Sequence, residues 1–192
     1  DTISVPSVRD FVGTTEFKLD ESKIGYVRLR QFGEKTGVQV LDFEGMTRKA
    51  MGLVALTALE DLWSKRSSVD PAPTLIVVDE AHYLAGAEPE GELQRMTSEI
   101  ICTIATQGRK YGLFLVLSTQ RPTQLHPDVL SQVQNLVLKR ITSKHDIDYL
   151  EGALTSVTPG LVHLLPSLGR DRAIVAGPMV RMPALVQTPE EK

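Results

Sequence analysis

The sequence has few of the residues that mark secreted or membrane-spanning proteins. Among its 192 residues there is one cysteine, and aromatic residues make up 5%. Cys102 by itself forms no internal disulfide, which fits a reducing compartment, so we expect a cytoplasmic protein. The longest apolar runs, such as residues 113–117, are far shorter than the ~20 residues that a membrane span needs. These shortages argue against a disulfide-stabilised secreted domain and against a transmembrane helix.

No charge excess and no metal-binding pattern stands out either. The net charge is -3, with 42% hydrophobic and 23% charged residues, which is typical of a folded domain with a core. Any DNA contact would therefore come from a local patch or from assembly. The histidines are widely spaced and have no neighbouring cysteine, which disfavours a metal site. No G-x-S-x-G elbow surrounds any serine. The four histidines are His82, His126, His145 and His163.

The first residue, Asp1, is not a start methionine. We therefore expect a piece of a longer polypeptide.

Short β-rich runs alternate with helical patterns along the chain. The strand at 74–78 is apolar at every position except its first, which predicts burial on both faces. Ser143 is placed to cap a helix, and from residue 163 onward Pro and Gly separate short apolar runs, which predicts a β-hairpin. This order predicts an α/β domain with a mainly parallel sheet flanked by helices. The predicted strands are 38–43, 74–78, 113–119 and 135–140, and the predicted helices are 47–66, 92–107 ended by Gly108, a short one from Pro127, and one from 144.

Two adjacent acids follow the apolar strand at 74–78. In parallel α/β sheets, ligands bind beyond the carboxyl ends of the strands. A carboxylate there can hold Mg²⁺ through a coordinated water, and a second can orient or deprotonate an attacking water. Asp79 suits the first role and Glu80 the second. The same pattern also describes a buried strand that simply meets solvent through two acids.

Two further stretches carry candidate residues. A second buried strand is predicted from residue 113, and it ends in polar Ser118, Thr119 and Gln120. Gln120 is placed to sense a γ-phosphate or the lytic water if the two strands are neighbours. The same residues also describe a polar strand end that leads into a proline turn. Arg109 follows the helix 92–107. It either stabilises the helix dipole or serves as an arginine finger for the nucleotide of a neighbouring subunit.

Together, "LIVVDEAHYL" and "GRKYGLFLVLSTQRPTQLHPDVLSQVQNLVLKRITSKHDIDYL" resemble the catalytic core of HerA/FtsK-type hexameric motor ATPases, nearest to the HerA branch. The closing "LPSLGRDRAIVAGPMVRMPALVQ" resembles the C-terminal hairpin of HerA proteins, and the resemblance covers residues 38–186. It implies a RecA-like P-loop NTPase fold with a mainly parallel sheet. It also implies three parts: an irregular segment at 1–37, an ATPase core at 38–162 and a β-hairpin segment at 163–192.

The resemblance also implies roles for individual residues. Asp79 is then the acid associated with Mg²⁺ through water, Glu80 the catalytic base and nucleotide contact, and Gln120 the polar sensor, with Thr119 beside the nucleotide. Arg109 matches the arginine that ring ATPases offer to the adjacent site, and Arg140 matches a recurring position of less defined role. The implied ligands are ATP and Mg²⁺. The implied partners are double-stranded DNA, further copies in a hexameric ring and a nuclease.

The sequence departs from the family in one respect. It contains no GxxxxGK[ST] loop to cradle the phosphates. The stretch "GEKTG" at 33–37 lacks the upstream glycine and is interpreted as a β-turn. We therefore expect the phosphate-binding part upstream of Asp1, an incomplete core in this chain, and little ATPase activity from the chain alone.

Three alternatives to a DNA-translocating ATPase share part of this sequence pattern. A conjugation or type IV secretion ATPase shares the same catalytic residues, and a catalytically dead interaction module would also lack the phosphate loop. The "DEAH" at 79–82 is shared with superfamily 2 helicases, but their second RecA-like domain and late arginine motif are missing. His82 is therefore interpreted as a helix-start or packing residue.

Overall fold

The computed structural model describes residues 28–31, 39–65, 73–154 and 156–187. The β-turn predicted at 33–37 and the first residue of the strand predicted at 38–43 lie outside these ranges. The described part alternates strands and helices in the predicted order. The strands are β1 (Arg28–Gln31), β2 (Gln39–Asp42), β3 (Thr74–Val78), β4 (Leu113–Leu117), β5 (Leu136–Leu138), β6 (Arg172–Ala176) and β7 (Ala184–Gln187). The α-helices are α1 (Arg48–Lys65), α2 (Glu92–Gln107), α3 (Pro127–Gln132), α4 (Lys144–Ala153) and α5 (Pro159–Val162).

A parallel strand pair positions the candidate residues. β3 and β4 run side by side, with Thr74 opposite Leu113 and Val78 opposite Leu117. Helices α1 and α2 pack against each other, and α2 also packs against β4. The buried face of α2 has helical spacing and includes Ile101 at 0% exposure, which anchors the helix in the core. Its buried residues are Thr97, Ser98, Ile101 and Ile104.

The parallel pair buries only one of its faces within the described residues. Leu75 and Val77 of β3 are 61% and 64% exposed, and Phe114 and Val116 of β4 are 45% and 46% exposed. Alternate residues of a strand point to opposite sides of the sheet, so these four side chains share one face. The prediction that β3 is buried on both faces is therefore wrong for the described residues. An apolar sequence shows which side chains suit burial, but it does not show which element packs against them.

The other strands form antiparallel sheets. β6 pairs with both β5 and β7, and β1 pairs with β2. The pairing of β6 with β7 confirms the predicted C-terminal hairpin. Gly177 follows β6 with a φ of 104°, where a Cβ atom would collide with the Gln134 carbonyl oxygen. Only glycine fits this close approach.

Local capping explains where the helices begin and end. Ser143 Oγ accepts a hydrogen bond from Asp146 N at 3.3 Å, which confirms the predicted cap of α4. Helix α2 ends at Gln107, as predicted, but the chain continues as a 3₁₀ turn over Gly108–Tyr111. That turn stops at Gly112, whose φ of 73° is left-handed.

Among the helices in the described ranges, none is long and apolar enough to cross a membrane.

Candidate active site

The turn after β3 lies directly beside the turn after β4. Ser118 N donates to the Val78 carbonyl oxygen at 2.9 Å, and Ala81 N donates to the Ser118 carbonyl oxygen at 2.8 Å. These backbone bonds continue the parallel ladder past the last strand residues. The predicted juxtaposition of the two acids and Gln120 therefore follows from the strand register.

Glu80 lies at the centre of this edge in an unusual backbone conformation. Its φ and ψ are 47° and 48°, and it is the one non-glycine residue with positive φ in the described part of the chain. Gln120 Nε2 donates to Glu80 Oε1 at 2.5 Å. Left-handed non-glycine residues are strained by about 1–3 kcal/mol and concentrate at functional sites. The backbone strain and the amide contact together mark Glu80 as a functional candidate.

Asp79 occupies the exposed position just before Glu80. Its Oδ1 accepts a hydrogen bond from Glu80 N at 3.0 Å, so the carboxylate helps to fix the turn. A hard carboxylate oxygen at a solvent-facing strand end is the kind of donor Mg²⁺ prefers, because Mg²⁺ binds through one or two carboxylates plus waters and phosphates. Within the described residues no cluster of three or more His, Cys, Asp or Glu side chains forms an all-protein metal cage. A single exposed carboxylate such as that of Asp79 fits a metal whose other ligands are waters and phosphates.

His82 is a buried residue at the start of a short helix, as predicted, and it also belongs to the same network. It lies in the 3₁₀ turn Ala81–Tyr83, is buried and stacks against Tyr83 with ring centroids 4.2 Å apart. Its Nδ1 lies 3.0 Å from Thr119 Oγ1 and 3.4 Å from Glu80 Oε2. The sequence places His82 next to the acids but carries no signal for a contact with Thr119, which is 37 residues away.

Burial governs the protonation of His82. It lowers the pKa of the imidazole below its usual 6.5, while the Glu80 carboxylate raises that pKa and the positive charges of Arg121 and Arg48 lower it further. The net effect is a lowered pKa, so the ring is neutral near pH 7. Two atoms here, Glu80 Oε2 and His82 Nε2, are buried and make no hydrogen bond. Such unsatisfied buried atoms are uncommon and point to a functional site.

Arg109 lies far from this network within one chain. It belongs to the turn before β4, and Thr74 N donates to the Gly112 carbonyl oxygen at 2.8 Å. That turn is therefore at the amino ends of both strands, while Glu80 and Gln120 follow their carboxyl ends. A five-residue strand spans about 17 Å. The structure thus brings together Asp79, Glu80, Thr119 and Gln120 but not Arg109.

Arg140 is exposed and lies two residues beyond the end of β5. The chain then enters α4, whose Asp146 Oδ1 accepts a hydrogen bond from Thr123 Oγ1 at 2.7 Å. Thr123 itself follows Gln120 in the turn after β4. Arg140 therefore lies between β5 and α4, and in the described part of the chain no hydrogen bond or ion pair joins it to Glu80 or Gln120.

Cys102 has no catalytic environment. It sits in α2, with its Sγ 3.5 Å from His126 Nδ1, and that nitrogen also accepts a hydrogen bond from Asp128 N. Burial raises the pKa of the thiol, and the negative charge of Asp128 adds to the effect. A raised pKa keeps the sulfur protonated and weakly nucleophilic. Cys102 is partly buried and packs against the hydrophobic core.

Comparison with known proteins adds relatives in sequence and in fold. The chain is 34% identical over 131 residues to the DNA double-strand break repair helicase HerA of Pyrococcus furiosus, covering 67% of this chain and 23% of that protein. It is 30% identical over 189 residues to a probable HerA helicase of Methanocaldococcus jannaschii, covering 88% of this chain and 37% of that protein. No family model matches the chain.

Two solved structures have a similar fold at low sequence identity. The genome packaging NTPase B204 of Sulfolobus turreted icosahedral virus 2, in complex with ATP-gammaS, aligns with a TM-score of 0.52 at 15% identity, covering 70% of this chain and 60% of that chain. VirB4 of Thermoanaerobacter pseudethanolicus aligns with a TM-score of 0.56 at 13% identity, covering 78% of this chain and 39% of that chain.

The parallel pair with polar residues at its carboxyl edge and these structural neighbours define a RecA-like P-loop ATPase fold. Within that class, the sequence relatives confirm the predicted resemblance, and the chain belongs to the HerA/FtsK-type P-loop ATPases. It spans 23% and 37% of the length of the two HerA relatives described above.

Proposed function

We propose that this chain is the water-activating part of an ATP-hydrolysing motor that moves DNA. The observation that carries the proposal is Glu80, held in a left-handed conformation at the carboxyl edge of the parallel pair with its Oε1 bound by Gln120. Strained backbone conformations persist only where the surrounding structure holds them, and they cluster at active sites. A carboxylate that must be held at one point beside a phosphate is such a case.

In this proposal, Glu80 orients a water and takes its proton as the water oxygen attacks the γ-phosphorus, which releases ADP and phosphate. Gln120 holds the outer oxygen of the same carboxylate and lies where the γ-phosphate would be sensed. Thr119 contributes a hydroxyl at the same edge. The effect expected of a positioned general base is about 10²- to 10⁴-fold in rate.

Asp79 is the residue proposed to hold Mg²⁺, through a coordinated water. When bound, the ion neutralises the charge of the phosphate oxygens. Asp79 is suited to this because it is exposed and adjacent to Glu80, and because the bond from Glu80 N to its Oδ1 orients the carboxylate. The phosphate-binding loop itself is proposed to come from sequence outside this chain.

Assembly into a ring is part of the proposal. Arg109 lies at the amino ends of β3 and β4, and Glu80 lies at their carboxyl ends. An arginine finger at Arg109 can therefore serve only the site of a neighbouring subunit. The arrangement supports a ring of several copies, for which we propose six. Arg140 is proposed to lie near the nucleotide or at the interface between subunits.

DNA is the proposed cargo because the sequence relatives are named as DNA double-strand break repair helicases. A nuclease partner and a cytoplasmic location are proposed on the same basis. The division into a core at 38–162 and a hairpin segment at 163–192 also remains a proposal. The likeness to VirB4 concerns the fold, and a secretion ATPase with the same catalytic residues stays the alternative.

The test is Glu80→Gln in the full-length protein that contains this chain. We expect ATP turnover to fall by at least about 10²-fold while Mg·ATP binding is retained, because the amide keeps the shape but takes no proton. Glu99→Gln is the matched control. The Glu99 side chain is 63% exposed on α2 and forms an ion pair with Arg95 at 3.5 Å. Unchanged turnover in Glu80→Gln would refute the assignment.

A further inference from the structure

The two carboxylate oxygens of Glu80 lie in different surroundings. Oε1 is bound by Gln120, whereas Oε2 is buried, makes no hydrogen bond and lies 3.4 Å from His82 Nδ1. The Glu80 side chain is 31% exposed and that of His82 is 5% exposed. One oxygen therefore faces inward, toward the imidazole, and the other lies toward the open edge of the sheet.

The surroundings of the imidazole select one tautomer. His82 Nε2 is buried without a partner, whereas Nδ1 lies 3.0 Å from Thr119 Oγ1 as well as near Glu80 Oε2. A buried N–H without an acceptor costs more than a buried bare nitrogen. Thr119 Oγ1 also accepts a hydrogen bond from Arg121 N at 3.0 Å. The proton of the neutral ring therefore belongs on Nδ1, between two oxygen acceptors.

We infer that His82 is a positioning residue for Glu80: its Nδ1–H, 3.4 Å from the inward oxygen Oε2, attracts that oxygen electrostatically and so holds Oε1 beside Gln120. The inference rests on the proposed function, since it assigns a reason for holding this carboxylate. A lone contact from Gln120 leaves the carboxylate free to rotate about its last torsion. Contacts at both oxygens fix its plane, and the hydroxyl of Thr119 ties that plane to the end of β4.

The geometry gives a way to separate positioning from packing. Asparagine places a side-chain amide close to the position of Nδ1, whereas glutamine places its amide near the position of Nε2. Phenylalanine keeps the ring volume against Tyr83 but has no N–H. If His82 positions Glu80, His82→Asn should retain ATP turnover, and His82→Phe and His82→Gln should lose it. If His82 only fills space in the core, His82→Phe should be the best tolerated of the three variants.

The experiment measures ATP turnover, ATP affinity and melting temperature of these variants in the full-length protein, beside the wild type and Glu80→Gln. We expect kcat to fall at least about tenfold in His82→Phe and His82→Gln, with His82→Asn within about threefold of wild type, since only part of the effect of a general base is at stake. ATP affinity should stay within about twofold in all three, because the inner oxygen does not contact the nucleotide.

The outcomes separate the role of His82 from the proposed function. The positioning role is overturned if Glu80→Gln is inactive while folded His82→Phe matches the wild type. It is also overturned if His82→Asn loses as much kcat as His82→Phe. In both cases the proposed function stands. If the wild type hydrolyses no ATP, or Glu80→Gln hydrolyses it normally, the proposed function fails and the role of His82 fails with it. A His82→Phe protein that does not fold leaves the decision to His82→Gln against His82→Asn.

Discussion

The strained backbone at Glu80 predicts an inverted order of stability between alanine and glycine. Both Glu80→Ala and Glu80→Gly remove the same contacts to Gln120 and His82, so their difference isolates the backbone. At φ 47° and ψ 48° a residue with a Cβ is disfavoured by about 1–2 kcal/mol. Against this, alanine gains about 0.4–1 kcal/mol over glycine from the unfolded state. Glycine should therefore be more stable at this position by about 0.5–1 kcal/mol.

The control is Ala58→Gly, in the middle of α1, where the backbone is right-handed. There glycine should be less stable than alanine by about 1 kcal/mol. The difference between the two sites is then roughly 1–2 kcal/mol, the cost of the left-handed conformation itself.

Urea unfolding measures this difference through Trp63, the one tryptophan of the 192-residue chain, whose ring meets Tyr111 edge-on with centroids 5.5 Å apart. A change of 1 kcal/mol moves the urea midpoint by about 0.5 M. Glu80→Gly and Glu80→Ala should have the same m-value and differ in midpoint, with glycine higher. If Glu80→Ala is as stable as Glu80→Gly, the backbone at Glu80 is not strained, and the main structural support for its catalytic role is lost.

Two further predictions concern the ring and the acid stability of the fold. Arg109→Ala should lower ATP turnover by about 10³-fold or more, while the control Lys110→Ala should have little effect. Mixing Arg109→Ala subunits with Glu80→Gln subunits should restore some ATPase activity, because some sites then combine an intact Glu80 with a neighbour's intact Arg109. No recovery on mixing argues against an arginine finger that acts between subunits. For Asp146, burial alone would raise the pKa, but hydrogen bonds from Thr123 and Ser143 lower it below its usual 3.8. The ionised Asp146 carboxylate therefore stabilises the fold above about pH 4, and this stabilisation is lost as the pH falls through the lowered pKa of the folded state. Asp146→Asn should make the free energy of unfolding less dependent on pH in this acid range, whereas the control Asp148→Asn, at an exposed position, should not. An unchanged pH dependence in Asp146→Asn contradicts the prediction.

Much of the local structure was determined by the sequence itself. The helical spacing of apolar residues in α1 and α2, the serine before α4 and the glycines around the C-terminal hairpin fix elements through contacts among near neighbours. The acids after β3 and the polar residues after β4 were also visible, because a strand that ends at a functional edge changes abruptly from apolar to polar. Their proximity followed once the two strands were assumed to be parallel neighbours.

Tertiary structure decided the rest, because it depends on partners distant in the chain. Nothing local predicts that Glu80 adopts a left-handed conformation, or that His82 reaches Thr119 across 37 residues and makes the second acid part of a network. Likewise, the apolar side chains of Leu75 and Phe114 are exposed in the described part of the chain although the sequence predicted them to be buried. Apolar character is a property of the residue itself, but whether the residue is buried depends on what packs against it. The same distinction separates Arg109 from Glu80: the sequence names both residues, and only the strand direction places them at opposite edges.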